Sequence, residues 1–520
     1  MCNPNSTWRQ ASLNKRNTAN NAKDGPAVER HQLAVCGSPT ERAGGDVSQA
    51  KAVREIARAL RVRLSGEVLQ PGDAAFVEAS WVWNAMVART PGLIARCANL
   101  ADVQTAVRCA AEAGIAPAVR CGGHSLAGFS TCEGGLVIDL SRLRTVSVDE
   151  TARRAKAAGG CLLGTIDTAL QQGGLVFPAG VVSHTGASGL ILGGGTGWLT
   201  RVLGLSCDNV AEYKLVVARG TLVRANAVEN AELYWALRGG GGNFGVVVEF
   251  ELKVHPLTSC LLATAFTLEH EVVRTLAFWR DFMGDAPDEL QWNISLRLAP
   301  HAAEVPPELR GKPVLTTSAV WFGEDVAGKR LLGEIFSVGR PVAVAQKRIS
   351  YLTLQTIADK NYPHGQRYYT KSGYFMYLNE TSIELLADAL LTIPSANTQI
   401  ELAYLGGAAA RVRASETAFG GREAPFILNL LANWTEPSQD AAHVYWIRSV
   451  FEKLRPAMTP GVYTNFMSGD EQERVREAYQ ERWERLVAVK TQYDPQNVFR
   501  RNQNIPPRAD TTAHNTADVR

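Results

Sequence analysis

The chain has 520 residues, 46% of them hydrophobic and 20% charged, with 54 Lys+Arg against 51 Asp+Glu. This composition describes a soluble globular protein long enough for two or more domains. The near balance of charge excludes a strongly basic nucleic-acid binder and an acidic disordered chain.

Residues 1–51 are rich in Asn, Ser, Thr, Ala and Gly, carry no apolar signal segment, and read as a disordered leader. From Val53 the pattern VREIARALRVRL predicts a short amphipathic helix, followed by a strand at 92–97. Val103, Ala106, Val107, Ala110 and Ala111 form a helical stripe over 101–114 that Gly114 ends. A strand at 115–120 runs directly into Cys121-Gly122-Gly123-His124-Ser125. Strands at 135–140 and 145–148, a helix at 162–172, a Gly-dense block at 180–197, a strand at 213–218 and a helix at 229–238 follow. A second Gly run, 239–242, precedes the strand 246–254, and His255-Pro256 marks a domain edge. Beyond it the elements are larger: helices at 275–284, 383–393 and 443–454, strands at 314–322, 398–407 and 425–434, then one charged helix over 471–492. Residues 508–520 read as a disordered tail. Strands and helices are mixed without strict alternation, which favours α+β.

The longest stretch without formal charge, Thr168–Thr200, holds nine Gly and is no membrane span. The nine Cys include no C-x-x-C pair, which argues against structural zinc and thioredoxin-type redox chemistry and fits buried free thiols in a reducing cytoplasm; no metal site is expected. Gly240-x-Gly242-x-x-Gly245 matches the dinucleotide fingerprint in letters only. That motif follows a strand and opens a helix, whereas here a helix precedes and a strand follows. Three Gly-rich turns remain: Gly122-Gly123, Gly193-Gly194-Gly195-x-Gly197 and Gly239–Gly242. Glycine lets backbone amides approach an anion closely, so three such turns favour a large phosphate-bearing ligand lying across the domain.

Four blocks carry a more specific signal. AVRCGGHSLAGFSTCEGGLVIDLSRL (118–143), PAGVVSHTGASGLILGGGTGWLTRVLGLSCDN (178–209), ELYWALRGGGGNFGVVVEFELKVHP (232–256) and YDPQNVFRRNQNIPP (493–507) resemble, in the same order, the berberine bridge enzyme-like FAD-linked oxidoreductases. The resemblance implies a two-domain PCMH-type FAD-binding fold, with a substrate domain built on an antiparallel sheet covered by helices. It divides the chain into an FAD-binding domain (52–256), a substrate-binding domain (257–456) and a segment returning to the FAD domain (457–507).

It also implies residue roles. His124 bonds covalently to the 8α-methyl of the flavin, raising its potential and retaining it. Arg120 balances diphosphate charge, and Cys121 is filler in the same turn as Gly122, Gly123 and Ser125. The second covalent tether of many relatives comes from a Cys in A-G-V-C; Gly180-Val181-Val182 has Val there, so attachment through His124 alone is expected, with a lower flavin potential than in doubly tethered relatives. Thr185 occupies the position that influences oxygen access, where Val or Leu is usual. Gly186, Gly189, Gly193, Gly194, Gly195, Gly197, Gly245, Val246, Asn465, Asn502 and Asn504 complete the expected flavin site. Thr196 replaces the Tyr of plant relatives. Tyr463 resembles the Tyr placed near the flavin as base or substrate orienter, although a phenol with a pKa of about 10 is a poor base unaided. Asn429 and Glu401, on alternating positions of strands, complete the expected catalytic set.

The resulting expectation is an FAD-dependent oxidase that removes a hydride from an alcohol or amine carbon of an organic small molecule, with O2 reoxidising the flavin to give H2O2. A dehydrogenase using another acceptor and a flavin-binding protein without turnover are the alternatives; a serine hydrolase is disfavoured by the lack of a G-x-S-x-G elbow. Neither a nucleic-acid nor a membrane partner is expected. Sugar, amine, alkaloid and polyketide substrates all stay open, as does the oligomeric state.

Overall fold

A computed structural model describes residues 39–303 and 305–509. Most of the segments read as leader and tail, 1–38 and 510–520, lie outside them. The helix expected from Val53 runs over Pro39–Arg63, so residues 39–51 are helical rather than leader. Contacts divide the chain into Met1–Gly45 and Asp46–Arg520, and everything below concerns the second unit.

Two larger sheets, besides a two-stranded pairing of Leu175–Val176 with His255–Pro256, build its first part. One has four strands in the order Glu67–Leu69, Leu93–Arg96, Leu136–Asp139, Ala118–Arg120, the last three parallel. Covered on both faces, parallel strands read as unbroken apolar runs, and Leu136–Asp139 is buried at every position. The helix Leu100–Glu112 packs on this sheet through Val103, Ala106, Val107 and Ala110. Asn99 caps it by accepting the Asp102 N–H, while the Asp102 carboxylate accepts the N–H groups of Ser65, Gly66 and Ala98. The other sheet is antiparallel, in the order Val146–Asp149, Arg154–Ala158, Val246–Lys253, Val210–Val216, Leu222–Asn226.

Residues 259–434 supply a seven-stranded antiparallel sheet in the order Ala343–Ser350, Ser259–Leu268, Pro313–Trp321, Leu290–Leu298, Thr398–Tyr404, Phe426–Trp434, Arg367–Phe375. Helices Val272–Asp285, Glu380–Leu391 and Asp440–Leu454 bury Trp279, Leu386 and Phe451 against one face, where Ile400, Leu402, Leu428 and Leu430 point. Side chains alternate along a strand, so Glu401 and Asn429 point from the opposite face. The two residues are paired in register.

The charged C-terminal helix expected as one element is broken. It runs as Val475–Tyr479 and Trp483–Tyr493, interrupted at Gln480, whose φ is 47° and whose Nε2 donates to the Pro460 carbonyl at 2.9 Å. A left-handed residue cannot continue an α-helix. The second piece is anchored by a fully buried ion pair, Lys490–Asp494 at 2.6 Å. Lys490 Nζ also donates to the carbonyls of Asn243 and Phe499, which ties the returning segment to the second Gly run.

Candidate active site

The loops that follow the strands Ala118–Arg120 and Leu175–Val176, the Gly run at 239–242, the sheet face carrying Glu401, and the returning segment all border one cavity of ≈ 360 Å³. Of the residues singled out above, Cys121, Gly122, Gly123, His124, Ser125, Gly180, Val182, Thr185, Gly186, Gly189, Gly193, Gly245, Val246, Glu401, Asn429, Tyr463, Asn465 and Asn502 line it.

Five do not. Arg120 is buried, with its guanidinium 2.6 Å from Asp139 on the neighbouring strand, so its charge is neutralised inside the protein and does not face the cavity as expected. A buried cation without a partner would be far more costly. Gly194, Gly195 and Gly197 serve close packing instead of cradling a ligand. A Cβ at Gly197 would fall 1.8 Å from the Ala179 carbonyl oxygen, at Gly195 2.1 Å from Ser206 Oγ, and at Gly194 2.5 Å from Phe419. Asn504 also lies off the cavity wall.

The wall itself suits a large ligand. A Cβ built on Gly189 or Gly242 would meet nothing, because both open into the cavity. Ser130 Oγ and Asn502 Oδ1 are buried without a hydrogen-bond partner and belong to lining residues. Buried polar atoms are rarely left so, and a bound polar group would satisfy them. Gly122 and Gly186 bring two loops together: a Cβ on Gly122 would lie 2.4 Å from the Gly186 nitrogen. Cys121 Sγ donates to the Cys161 carbonyl at 3.2 Å, and burial pushes its thiol up to about 11, which suits filler and not a nucleophile.

At the His124 end, Trp83 stacks on the imidazole (4.5 Å between centroids, 18° between planes) and Tyr368 stacks on Trp83 at 3.6 Å. Trp83 also donates from Nε1 to the Tyr362 carbonyl, 2.9 Å, fixing a turn between Asp359 and Arg367 beside the loop that carries His124. His124 Nε2 lies 2.7 Å from His184 Nδ1, and His364 completes a cluster whose facing nitrogens are within 4.8 Å of one another. Burial first, then the two neighbouring imidazoles, hold His124 well below the ordinary imidazole range.

Glu401, also on the cavity wall, is held by three side chains. Its Oε1 accepts from Tyr362 Oη at 2.6 Å and Gln399 Nε2 at 2.9 Å, and its Oε2 accepts from Asn429 Nδ2 at 2.8 Å. Thr370 donates to Asn429 Oδ1 at 2.5 Å, which orients the amide. Burial, and then Glu401, push the Tyr362 phenol far up, so it stays a donor. Tyr463 is buried; its oxygen accepts from the Gly195 N–H at 3.0 Å and Asn465 Nδ2 at 2.9 Å. Burial outweighs these bonds and raises its pKa, so the phenol is held in its neutral form. Trp83, Tyr362 and His364 were not singled out from the sequence. No spacing marks them, because Trp83 and Tyr362 reach the cavity, and His364 reaches His124, from loops whose paths only the tertiary structure sets.

Residues 91–226 match the family model described as "FAD binding domain", and 462–506 match "Berberine and berberine like". An FAD-linked oxidoreductase of Dictyostelium discoideum is 34% identical over 82% of this chain and 91% of its own. The crystal structure of 6-hydroxy-D-nicotine oxidase from Arthrobacter nicotinovorans superposes with a TM-score of 0.75 at 27% identity, covering 86% of this chain and 98% of that one. BBE-like 1 of Physcomitrella patens gives 0.79 at 24% identity, covering 87% and 99%. The two-part α+β architecture is therefore the PCMH-type FAD-binding fold, and the cavity between its glycine loops and its seven-stranded sheet is where such a cofactor fits. The chain belongs to the berberine bridge enzyme-like family of FAD-linked oxidoreductases.

Proposed function

We propose that the protein is an oxidase that holds FAD through a single covalent bond to His124 and takes a hydride from an alcohol or amine carbon of a small organic substrate. The observation that carries this reading is the convergence, on one cavity, of His124 with a carboxylate–amide–phenol group. When bound, FAD accepts the hydride and hands its electrons to O2.

The chain's own residues do the rest. Gly122, Gly186, Gly189 and Gly242 leave room for the cofactor, and Ser130 and Asn502 offer it polar atoms. Val182 leaves no second thiol for a tether. Tyr463 lines the cavity and orients the reacting group. Glu401 takes the proton from the substrate's hydroxyl or amine, fixed in position by Tyr362, Gln399 and Asn429. Placing the base on a strand and not on a loop keeps its geometry rigid.

Denaturing electrophoresis under ultraviolet light tests the tether: fluorescence should follow the wild-type band and be lost in His124→Ala. Oxygen consumption with a panel of alcohols and amines tests the reaction. Flavin bleaching by a substrate under anaerobic conditions, with no oxygen uptake in air, would identify a dehydrogenase instead.

A further inference from the structure

We infer that His184 is the positioning residue for flavin attachment: it fixes the tautomer of His124 through the Nε2–Nδ1 contact of 2.7 Å and receives the proton His124 must lose when it is alkylated. The inference rests on the proposed His124 tether.

At 2.7 Å between two imidazole nitrogens, one must donate and the other accept. With Nε2 of His124 committed to this bond, the nitrogen left to attack carbon is Nδ1. It is nucleophilic only if the ring proton sits on Nε2, so His124 has to be the donor and His184 the acceptor. The surroundings favour that direction. Asp359 clamps the His184 loop: its carboxylate accepts the Ser183 N–H at 2.8 Å and the Ser183 hydroxyl at 2.5 Å. The backbone and charge of Asp359 also raise the proton affinity of His184, working against its burial and the facing His364. Among the described residues no such group supports His124, whose neighbours His184 and His364 both oppose a charge. Within the pair, His184 is therefore the better base. Trp83, stacked on its face, holds the His124 ring in place for the attack.

The step balances as follows. A bond forms between His124 Nδ1 and the flavin 8α carbon. That carbon loses one hydrogen as a proton, and the electron pair of the broken C–H bond remains on the ring system, which is left reduced by two electrons. His124 Nε2 gives its proton to His184, so the attached imidazole ends neutral. The reduced ring takes up two protons in exchange, and dioxygen then removes two electrons and two protons as H2O2.

The test is the fraction of flavin that stays with the acid-precipitated polypeptide in purified full-length protein. Wild type should retain nearly all of it. His184→Ala should still bind FAD, visible in the absorption spectrum, but attach it on the order of 10²-fold more slowly. Adding imidazole to that flavin-loaded variant should move flavin into the precipitate over time. His184→Asn, which keeps an acceptor oxygen near the Nδ1 position but cannot take the proton, should fix the tautomer and attach flavin at an intermediate rate. Attachment in His184→Ala at the wild-type rate overturns the inference. So does loss of all flavin from both variants, or a slow variant that imidazole fails to rescue, since each marks a packing role only. Wild-type protein that binds FAD but releases it on precipitation would instead overturn the His124 tether itself.

Discussion

Two glycines in the same cradle predict opposite failures. Replacing Gly122 by Ala puts a Cβ 2.4 Å from the Gly186 nitrogen and 2.7 Å from its Cα, both backbone atoms that cannot rotate away. Restoring an ordinary contact of about 3.5 Å moves the two loops apart by roughly 1 Å. Overpacking of this kind costs about 1–3 kcal/mol, and a 1 Å displacement of positioning groups lowers turnover on the order of 10²-fold. Gly189→Ala is the converse. Gly189 lies in the helix Ala187–Leu192, and its Cβ would meet no protein atom. Helix propensity alone makes the folded chain more stable by up to about 1 kcal/mol. Yet the methyl group projects into the space assigned to the cofactor, so flavin content should fall. The assay is the flavin-to-protein absorbance ratio beside thermal melting followed by circular dichroism. Gly122→Ala should melt lower, and Gly189→Ala should melt no lower as apoprotein while carrying less flavin. Full flavin content in Gly189→Ala would refute the placement of the cofactor along this helix.

Glu401→Gln should lower kcat on the order of 10²–10⁴-fold while flavin content and KM change little, measured by oxygen uptake. Tyr463→Phe leaves the Gly195 N–H and one Asn465 proton without an acceptor and should destabilise the protein by about 1–3 kcal/mol in denaturant titration; wild-type activity should show no rise on the alkaline side attributable to a tyrosinate, because burial raises that phenol. Asp167 is fully buried, accepts from Gln355 Nε2 at 3.1 Å, and is pushed up by burial to about 7 from 3.8. The folded state therefore binds the proton more tightly than the unfolded state. Its stabilising contribution is complete below pH ~4 and is lost as pH rises through about 7, a difference on the order of a few kcal/mol. Asp167→Asn, neutral at every pH, should remove this fall, so that its stability relative to wild type rises between pH 5 and pH 8 in denaturant titrations. Lys490→Met strands a buried Asp494 carboxylate and should cost about 3–5 kcal/mol, seen as a lower unfolding midpoint.

Sequence alone determined what depends on chain neighbours and on residue type. The helix at 100–112 is visible in its stripe and cap, and the parallel strands in their unbroken apolar runs. The glycine turns and His124 are legible because a ligand loop imposes its pattern on consecutive residues; Glu401 and Asn429 are legible as polar positions on strands, while their pairing on one face is set by the register of the sheet. The tertiary structure decided what depends on residues far apart in the chain. It turned Arg120 away from the cavity by supplying Asp139 from the next strand, and it gave Gly194, Gly195 and Gly197 packing duties. It broke the last helix at Gln480, brought Trp83 and Tyr362 to the cavity from two distant loops, and set His364 against His124 and His184. It also set His184 2.7 Å from His124, 60 positions earlier in the chain. A local pattern records backbone preference and burial, whereas the partner of a charge or a ring nitrogen is fixed only when distant segments pack.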